Sequence, residues 1–394
     1  MKRTPRIAWL SPLPPQHSGV ANYSYWLLRE LKSHFTIDLY YEREPPTAEL
    51  QHDFEVFPMA KFPQRRSGYD DVVYHLGNHA GFHRTIYQLA WRFPATILLH
   101  DYNLSGFMHH AFYRQPDSDL YQQALTGPNG EPARTGLQAL LPKFGRNIGA
   151  IPMSHAIVNR SRQVIVHHRW VKKQLGDADH IRVIPHFATM SRQPTPEDLA
   201  NFKKKFSLKD NYFLVSCLGF TNRNKLPWLQ VEVVNRLLAE GYPVHLFFAG
   251  ETAPEVKSLE AEVKGGANNE NITFAGYLDE ADYFRALCAS DVVINLRNPS
   301  MGEASGTLMQ TFAAGKPAIV SDLNQYKEFP DRVCWKVTHD ENEARLLYQY
   351  LLTLLINKDL RIAMGANAAD YAHEVFSFKR IVPEWVEALA SARS

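Results

Sequence analysis

Apolar residues recur along the chain in short, nearly unbroken runs, and the stretches between them carry helical spacing. Arg6–Leu10, Phe35–Tyr40, Val72–Leu76, Ala95–Leu99, Val164–Val166 and Arg182–Ile184 form a first series. Phe213–Leu218, Val244–Ala249, Ile272–Tyr277, Asp291–Leu296, Ala318–Val320 and Trp335–Val337 form a second. Runs of this length and continuity predict strands buried on both faces, as in parallel sheets. Val20, Tyr23, Leu27, Leu28 and Leu31 lie at helical spacing. Further helices are predicted over Trp228–Leu238, Glu280–Ala289 with Asp279 as N-cap, Leu308–Ala314, Glu341–Ile356, Leu360–Val375 and Phe378–Ala390. Strand, loop and helix in alternation predict an α/β protein with two doubly wound sheets. The polar, proline-bearing stretch Thr189–Pro196 separates the two series. It sets the expected domains at 1–190 and 191–375. Within 103–162 the pattern is helical and loop-like, interrupted by Gly127–Gly130 and Gly145.

Composition narrows the field without deciding it. A chain of 394 residues exceeds what one core usually serves, which agrees with two domains. The formal charge of +2 gives no electrostatic argument for nucleic acid. Cys217, Cys288 and Cys334 lie far apart, which fits a reducing cytoplasm and not a zinc or disulfide framework. No apolar run approaches the roughly 20 residues of a spanning helix. The expected location is therefore cytoplasmic, with contact at the inner membrane surface left open.

The chemistry concentrates between two predicted strands. Asn298–Asp322 follows the run ending at Leu296 and contains Gly302, Glu303, Ala304, Ser305, Gly306 and Thr307 where a helix should begin. Unpaired N–H groups at Ser305, Gly306 and Thr307, with the positive end of a helix dipole, suit a phosphate or diphosphate. Glu303 would be repelled by that anion and more plausibly faces something neutral and hydroxyl-rich. A nucleoside diphosphate carrying a sugar supplies both halves. After Leu218, Gly219 with Arg223 and Lys225 repeats the phosphate chemistry of turn, helix start and cation, although an exposed loop lysine is the plainer alternative. Arg297 could neutralise phosphate or hold the Glu303 loop.

In the first series Gly19 follows a strand and opens a helix, either letting the backbone approach a ligand or simply turning the chain. Gly77, Asn78, His100 and Asp101 fall at the carboxyl ends of strands, where open α/β sheets bind ligands. A strand-end histidine satisfied by a backbone carbonyl is the competing reading of His100. His109 and His110 with His100 match no tetrahedral ligand spacing, so no metal is expected.

The stretch from Gly302 to Gly306 resembles the nucleotide-sugar signature of retaining glycosyltransferases of family 4, in the branch with Gly-Glu-x-Ser-Gly. The resemblance implies the GT-B fold, two Rossmann-like domains facing a cleft, with a C-terminal helix (376–394) returning to the first. It implies that Glu303 and His100 contact the donor sugar. Gln310 stands at the ribose-binding position, six residues after Glu303 where family members have a glutamate after seven. Lys225 matches the family's diphosphate lysine, and Phe220 replaces its arginine. Tyr277 stands where the base is contacted, or packs at the edge on its own helix. Gly19 falls to the donor side, and Ser18, Asn78 and Asp101 to the acceptor side. Trp385 would pack across the domain junction, or within the core of the second domain.

The expected function is transfer of a sugar from a UDP, GDP or dTDP sugar to a hydroxyl of a glycan or lipid-linked saccharide, in glycan or polysaccharide biosynthesis. The reaction would retain anomeric configuration and need no metal or cofactor. The alternatives are a non-catalytic nucleotide-sugar binding protein, and a same-fold epimerase or phosphorylase. The latter would need an acid–base pair or a bound cofactor that the sequence does not identify. A dinucleotide-dependent enzyme is disfavoured, because no Gly-x-Gly-x-x-Gly turn follows the first strand.

Overall fold

A computed structural model describes residues 3–115, 117–125, 151–190 and 193–391. The interruptions read at Gly127–Gly130 and Gly145, and Ser191 and Arg192 of the linker, lie outside the described residues. The chain forms two compact units. The first comprises Met1–His186, Met301–Ala304 and Phe378–Ser394; the second comprises Phe187–Ser300 and Ser305–Ser377.

The first unit carries a parallel sheet of seven strands: β1 (Arg6–Leu10), β2 (Thr36–Tyr41), β3 (Glu55–Pro58), β4 (Asp71–Leu76), β5 (Thr96–Leu99), β6 (Gln163–Val166) and β7 (Ile181–Val183). Their spatial order is β3-β2-β1-β4-β5-β6-β7, so the winding direction reverses between β1 and β4. All six residues of β4 are buried, and on one sheet face alternate strand residues, among them Leu10, Tyr74, Leu76, Ile97 and Val164, join a core of aliphatic and aromatic side chains. The apolar pattern leaves β3 unassigned because it is a short edge strand, with none of its four residues fully buried and Pro58 at its end.

The second unit carries six parallel strands: β8 (Phe213–Leu218), β9 (Val244–Ala249), β10 (Ile272–Phe274), β11 (Val292–Asn295), β12 (Ala318–Ser321) and β13 (Cys334–Val337). The order β10-β9-β8-β11-β12-β13 puts its reversal between β8 and β11. Asp279 caps the helix Glu280–Ala289 by accepting from the Asp282 N–H. Gly250 shows how tightly the loops after β8 and β9 approach. A Cβ there would collide with the Gly219 carbonyl, and its φ of 152° is open to glycine alone.

Two placements bear on the domain bounds. Trp385, on the helix Phe378–Ser391, groups with the first unit, to which the resemblance returns that helix, and not with the alternative, the core of the second. It is fully buried there, with its ring 6.0 Å from that of Trp9 on β1. Met301–Ala304, expected inside the second domain, groups with the first unit. Asn103 N–H donates to Met301 O at 2.8 Å, and a Cβ on Gly302 would come within 2.5 Å of Tyr102 Cβ. Among the described residues no helix is long and apolar enough to cross a membrane.

Candidate functional site

In the second unit the loops after β8 and β11 meet at the reversal of strand order, the place where open α/β sheets take ligands. The helix Gly306–Ala313 starts there, and Ser305 caps it by accepting from the Leu308 N–H. The N–H groups of Gly306 and Thr307 belong to the first turn, which has no acceptor within the helix. Asn295, the last residue of β11, donates to Ser305 Oγ at 2.8 Å and so fixes the cap.

Lys225 is not the exposed loop lysine of the plainer reading. It is buried, and its ammonium donates to Leu218 O. Burial lowers it to about 7, with Arg297 adding repulsion. Leu226, in the left-handed region, turns the chain directly into the helix Pro227–Ala239, and Gln230 Nε2 anchors the turn by donating to Lys225 O at 2.7 Å. Gly219 shows where the group converges: a Cβ there would lie 3.3 Å from Lys225 Nζ and 3.4 Å from Thr307 Oγ1. A buried amine, a hydroxyl and a helix N-terminus therefore face one glycine turn. An anion seated there would replace the missing solvation of the ammonium.

The other predicted residues of this unit fall around that turn with different standing. Arg223 is exposed, and its backbone N–H approaches Glu255 at 3.5 Å. Phe220, in the place of the family's arginine, is exposed, as is Tyr277 at 63%. Arg297 donates from Nη1 to Leu296 O. Gln310 Oε1 accepts from Tyr283 OH at 2.8 Å. That bond leaves Nε2 as the free donor of the Gln310 amide, the position expected at the ribose. Tyr283 carries no signal in the sequence beyond its place on an amphipathic helix, so sequence reasoning does not find it.

In the first unit the predicted residues lie after β1, β4 and β5. Ser18 caps the helix Gly19–Leu31 by accepting from the Val20 N–H. Gly19 opens that helix beside empty space, where an added Cβ would meet nothing within 4 Å. No neighbour in the protein demands a glycine there. Asn78 N–H donates to Asp101 Oδ2 at 2.6 Å, and Asn78 Oδ1 accepts from the Phe107 N–H. A side chain at Gly77 would press on His83 Nε2 at 2.9 Å and Asp101 Oδ2 at 3.1 Å, so glycine lets these two buried side chains close over the turn. Burial, and then the charge of Glu303, raises Asp101 to about 7. Glu303 itself is partly exposed, with Oε2 accepting from the Met301 N–H at 2.7 Å.

His100 is not satisfied by a backbone carbonyl. Its Nε2 meets His75 Nδ1 at 3.0 Å, in a group that the sequence alone does not bring together. Tyr23 is ringed by His75, His100, His167 and His186, with centroids 4.8 to 6.1 Å away. Burial and mutual repulsion hold His75, His100 and His167 well below the usual histidine range. Among the described residues no three His, Cys, Asp or Glu are grouped to hold a metal ion.

Two Rossmann-like parallel-sheet units, with ligand-facing turns at the strand-order reversals, define the GT-B class of fold. Residues 212–357 match the family described as Glycosyl transferases group 1. No curated protein matches the chain significantly. Among solved structures, sucrose-phosphate synthase from Thermosynechococcus elongatus superposes with a TM-score of 0.70 at 15% identity, covering 98% of each chain. Anabaena HepE, solved in complex with UDP and glucose, gives 0.65 at 15% identity over 98% of this chain and 100% of the other. WaaG, a glycosyltransferase involved in lipopolysaccharide biosynthesis, gives 0.64 at 13% identity over 97% and 99%. At such identities the likeness concerns the fold.

Proposed function

We propose that the protein is a nucleotide-sugar glycosyltransferase that retains anomeric configuration and works without a divalent metal. The observation that carries this reading is the convergence of buried Lys225, Thr307 and the start of the helix Gly306–Ala313 on Gly219. Departure of a nucleoside diphosphate builds negative charge on its oxygens. Protonated Lys225 and the N–H groups of Gly306 and Thr307 supply positive charge for it. Glu303, two residues before the cap Ser305, is assigned the sugar hydroxyls, and His100 the sugar near its reacting carbon. Asp101, Asn78 and Ser18 are assigned to the acceptor. The UDP complex of HepE and the family match over 212–357 support a nucleotide-sugar donor. With the leaving group and the attacking hydroxyl on one face, the departing phosphate oxygen takes the acceptor's proton, and a hydrolase's paired carboxylates are not required. A glycan or lipid-linked saccharide, met at a membrane surface, is the acceptor this reading favours.

The test is incubation with UDP, GDP and dTDP sugars and candidate saccharides, with transfer read by mass spectrometry and the anomer by NMR. Transfer with retention, undiminished by chelator, is expected. Donor binding without turnover would leave only a binding protein. Glu303→Ala should lower kcat by more than about tenfold while the Kd for free nucleoside diphosphate stays nearly constant; unchanged turnover removes Glu303 from the sugar.

A further inference from the structure

Behind His100 lies a chain of buried polar atoms that the proposed reaction does not use. Ser11 Oγ stands 2.8 Å from Pro12 O, and a carbonyl only accepts, so Ser11 donates its proton there. In the 2.6 Å contact between Ser11 Oγ and Ser24 Oγ, Ser24 is then the donor. Trp9 Nε1–H also donates to Ser24 Oγ, at 3.2 Å. Toward His75 Nδ1, 3.5 Å away, Ser24 has no proton left and offers only a lone pair.

His75 sits in β4, fully buried, and burial keeps both it and His100 neutral. Each imidazole then carries one proton, and one of them donates across the 3.0 Å contact between His75 Nδ1 and His100 Nε2. If His100 donated, the proton of His75 would reside on Nε2, a buried atom with no partner. Its bare Nδ1 would also face the lone pair of Ser24. An orphaned buried N–H pays its full desolvation cost and is rarer in proteins than an orphaned acceptor. With the proton on Nδ1, His75 has both Ser24 Oγ and His100 Nε2 as acceptors, and the unpartnered Nε2 is only a lone pair.

We propose that His75 is a positioning residue that fixes His100 in the tautomer protonated on Nδ1, so that His100 meets a ligand as a hydrogen-bond donor and not as a base. The role at the sugar rests on the transferase reading above; the tautomer does not.

The test uses the full chain labelled with ¹⁵N-histidine. Long-range ¹H–¹⁵N correlation assigns the two His100 nitrogens by their loss in His100→Gln. In the wild type, Nδ1 should be protonated and Nε2 bare; the reverse pattern overturns the proposal without any variant. His75→Leu should shift His100 toward Nε2–H and lower kcat about ten- to a hundredfold, with the donor KM changed less than about threefold. His75→Asn places an amide N–H where Nδ1 stood, and should restore the tautomer and bring kcat within about threefold of wild type. A folded His75→Leu protein with unchanged tautomer overturns the proposal. Should the wild type show the Nδ1 tautomer yet transfer no sugar, the transferase reading fails and the tautomer assignment stands.

Discussion

The two units solve opposite electrostatic problems at equivalent places in the same type of sheet. In the second, a lysine is buried beside a helix N-terminus, so the site holds positive charge that its surroundings solvate poorly. In the first, imidazoles are buried against one another, and His75, His100, His167 and His168 are all pushed toward neutrality. In the proposed reaction the one unit would receive the anion and the other a neutral ligand that exchanges hydrogen bonds. The difference teaches that a shared sheet topology sets where a ligand binds but not which chemistry receives it.

Acid should separate the units most strongly. His83 and His168 are lowered to about 4 and about 3, and His75, His100 and His167 move the same way. A depressed folded-state value contributes stability that is complete above the unfolded value near 6.5 and lost as pH falls toward the folded value. At pH 5, His83 and His168 would each cost about 2 kcal/mol relative to neutral pH. Asp101, raised to about 7, has the opposite sign: its contribution is present at low pH and lost as pH rises through 7, so it offsets the histidines only in part. The second unit has His245 as its buried histidine among the described residues, lowered to about 4. Urea denaturation at pH 7 and pH 5 with proteolytic mapping should show the first unit losing several kcal/mol and opening first. Equal losses in both units would erase the contrast.

Removing the buried cation tests the other side. Lys225→Met keeps the apolar stem and deletes the charge, and should weaken UDP or GDP binding by about 2–3 kcal/mol, which calorimetry reads as a rise in Kd of about 30- to 160-fold. Because Lys225 sits at about 7 when free, a diphosphate must draw a proton onto it, and wild-type affinity should fall as pH rises above 7. Binding enthalpies that are identical in buffers of different ionisation heat would show that no proton is taken up.

The same contrast explains what the sequence disclosed. The candidate phosphate turn of the second unit is written contiguously, as Ser305–Thr307 before an apolar-periodic helix and Gly219 to Lys225 after a strand, so both spacing and residue type announce it. The strand runs were legible for a similar reason, since burial on both faces leaves unbroken apolar segments. The histidine group was not legible. Its members lie at 75, 100, 167 and 186, each in or just after a different strand, and only the parallel order β4-β5-β6-β7 sets them side by side. His75 in particular reads as an interruption of an apolar strand, and nothing local marks its partner. Met301–Ala304 reads as part of the second unit because contacts of Asn103 and Tyr102, distant in sequence, decide its place in the first.

The smallest effect probes how the second unit reads the nucleoside. Tyr283 OH holds Gln310 Oε1 at 2.8 Å, and burial raises its phenol to about 12, so it stays a donor throughout the physiological range. That bond turns the Gln310 amide so that Nε2 is the group the proposed ribose contact would use. Tyr283→Phe deletes the hydroxyl and little volume, freeing the amide to rotate, at a cost near 1 kcal/mol, typical of one neutral hydrogen bond. UDP affinity should fall about fivefold while inorganic pyrophosphate, which has no ribose, binds as before. A parallel loss for both ligands would mean that Tyr283 supports the phosphate turn through the helix Gly306–Ala313, and Gln310 would then lose its assignment to the ribose.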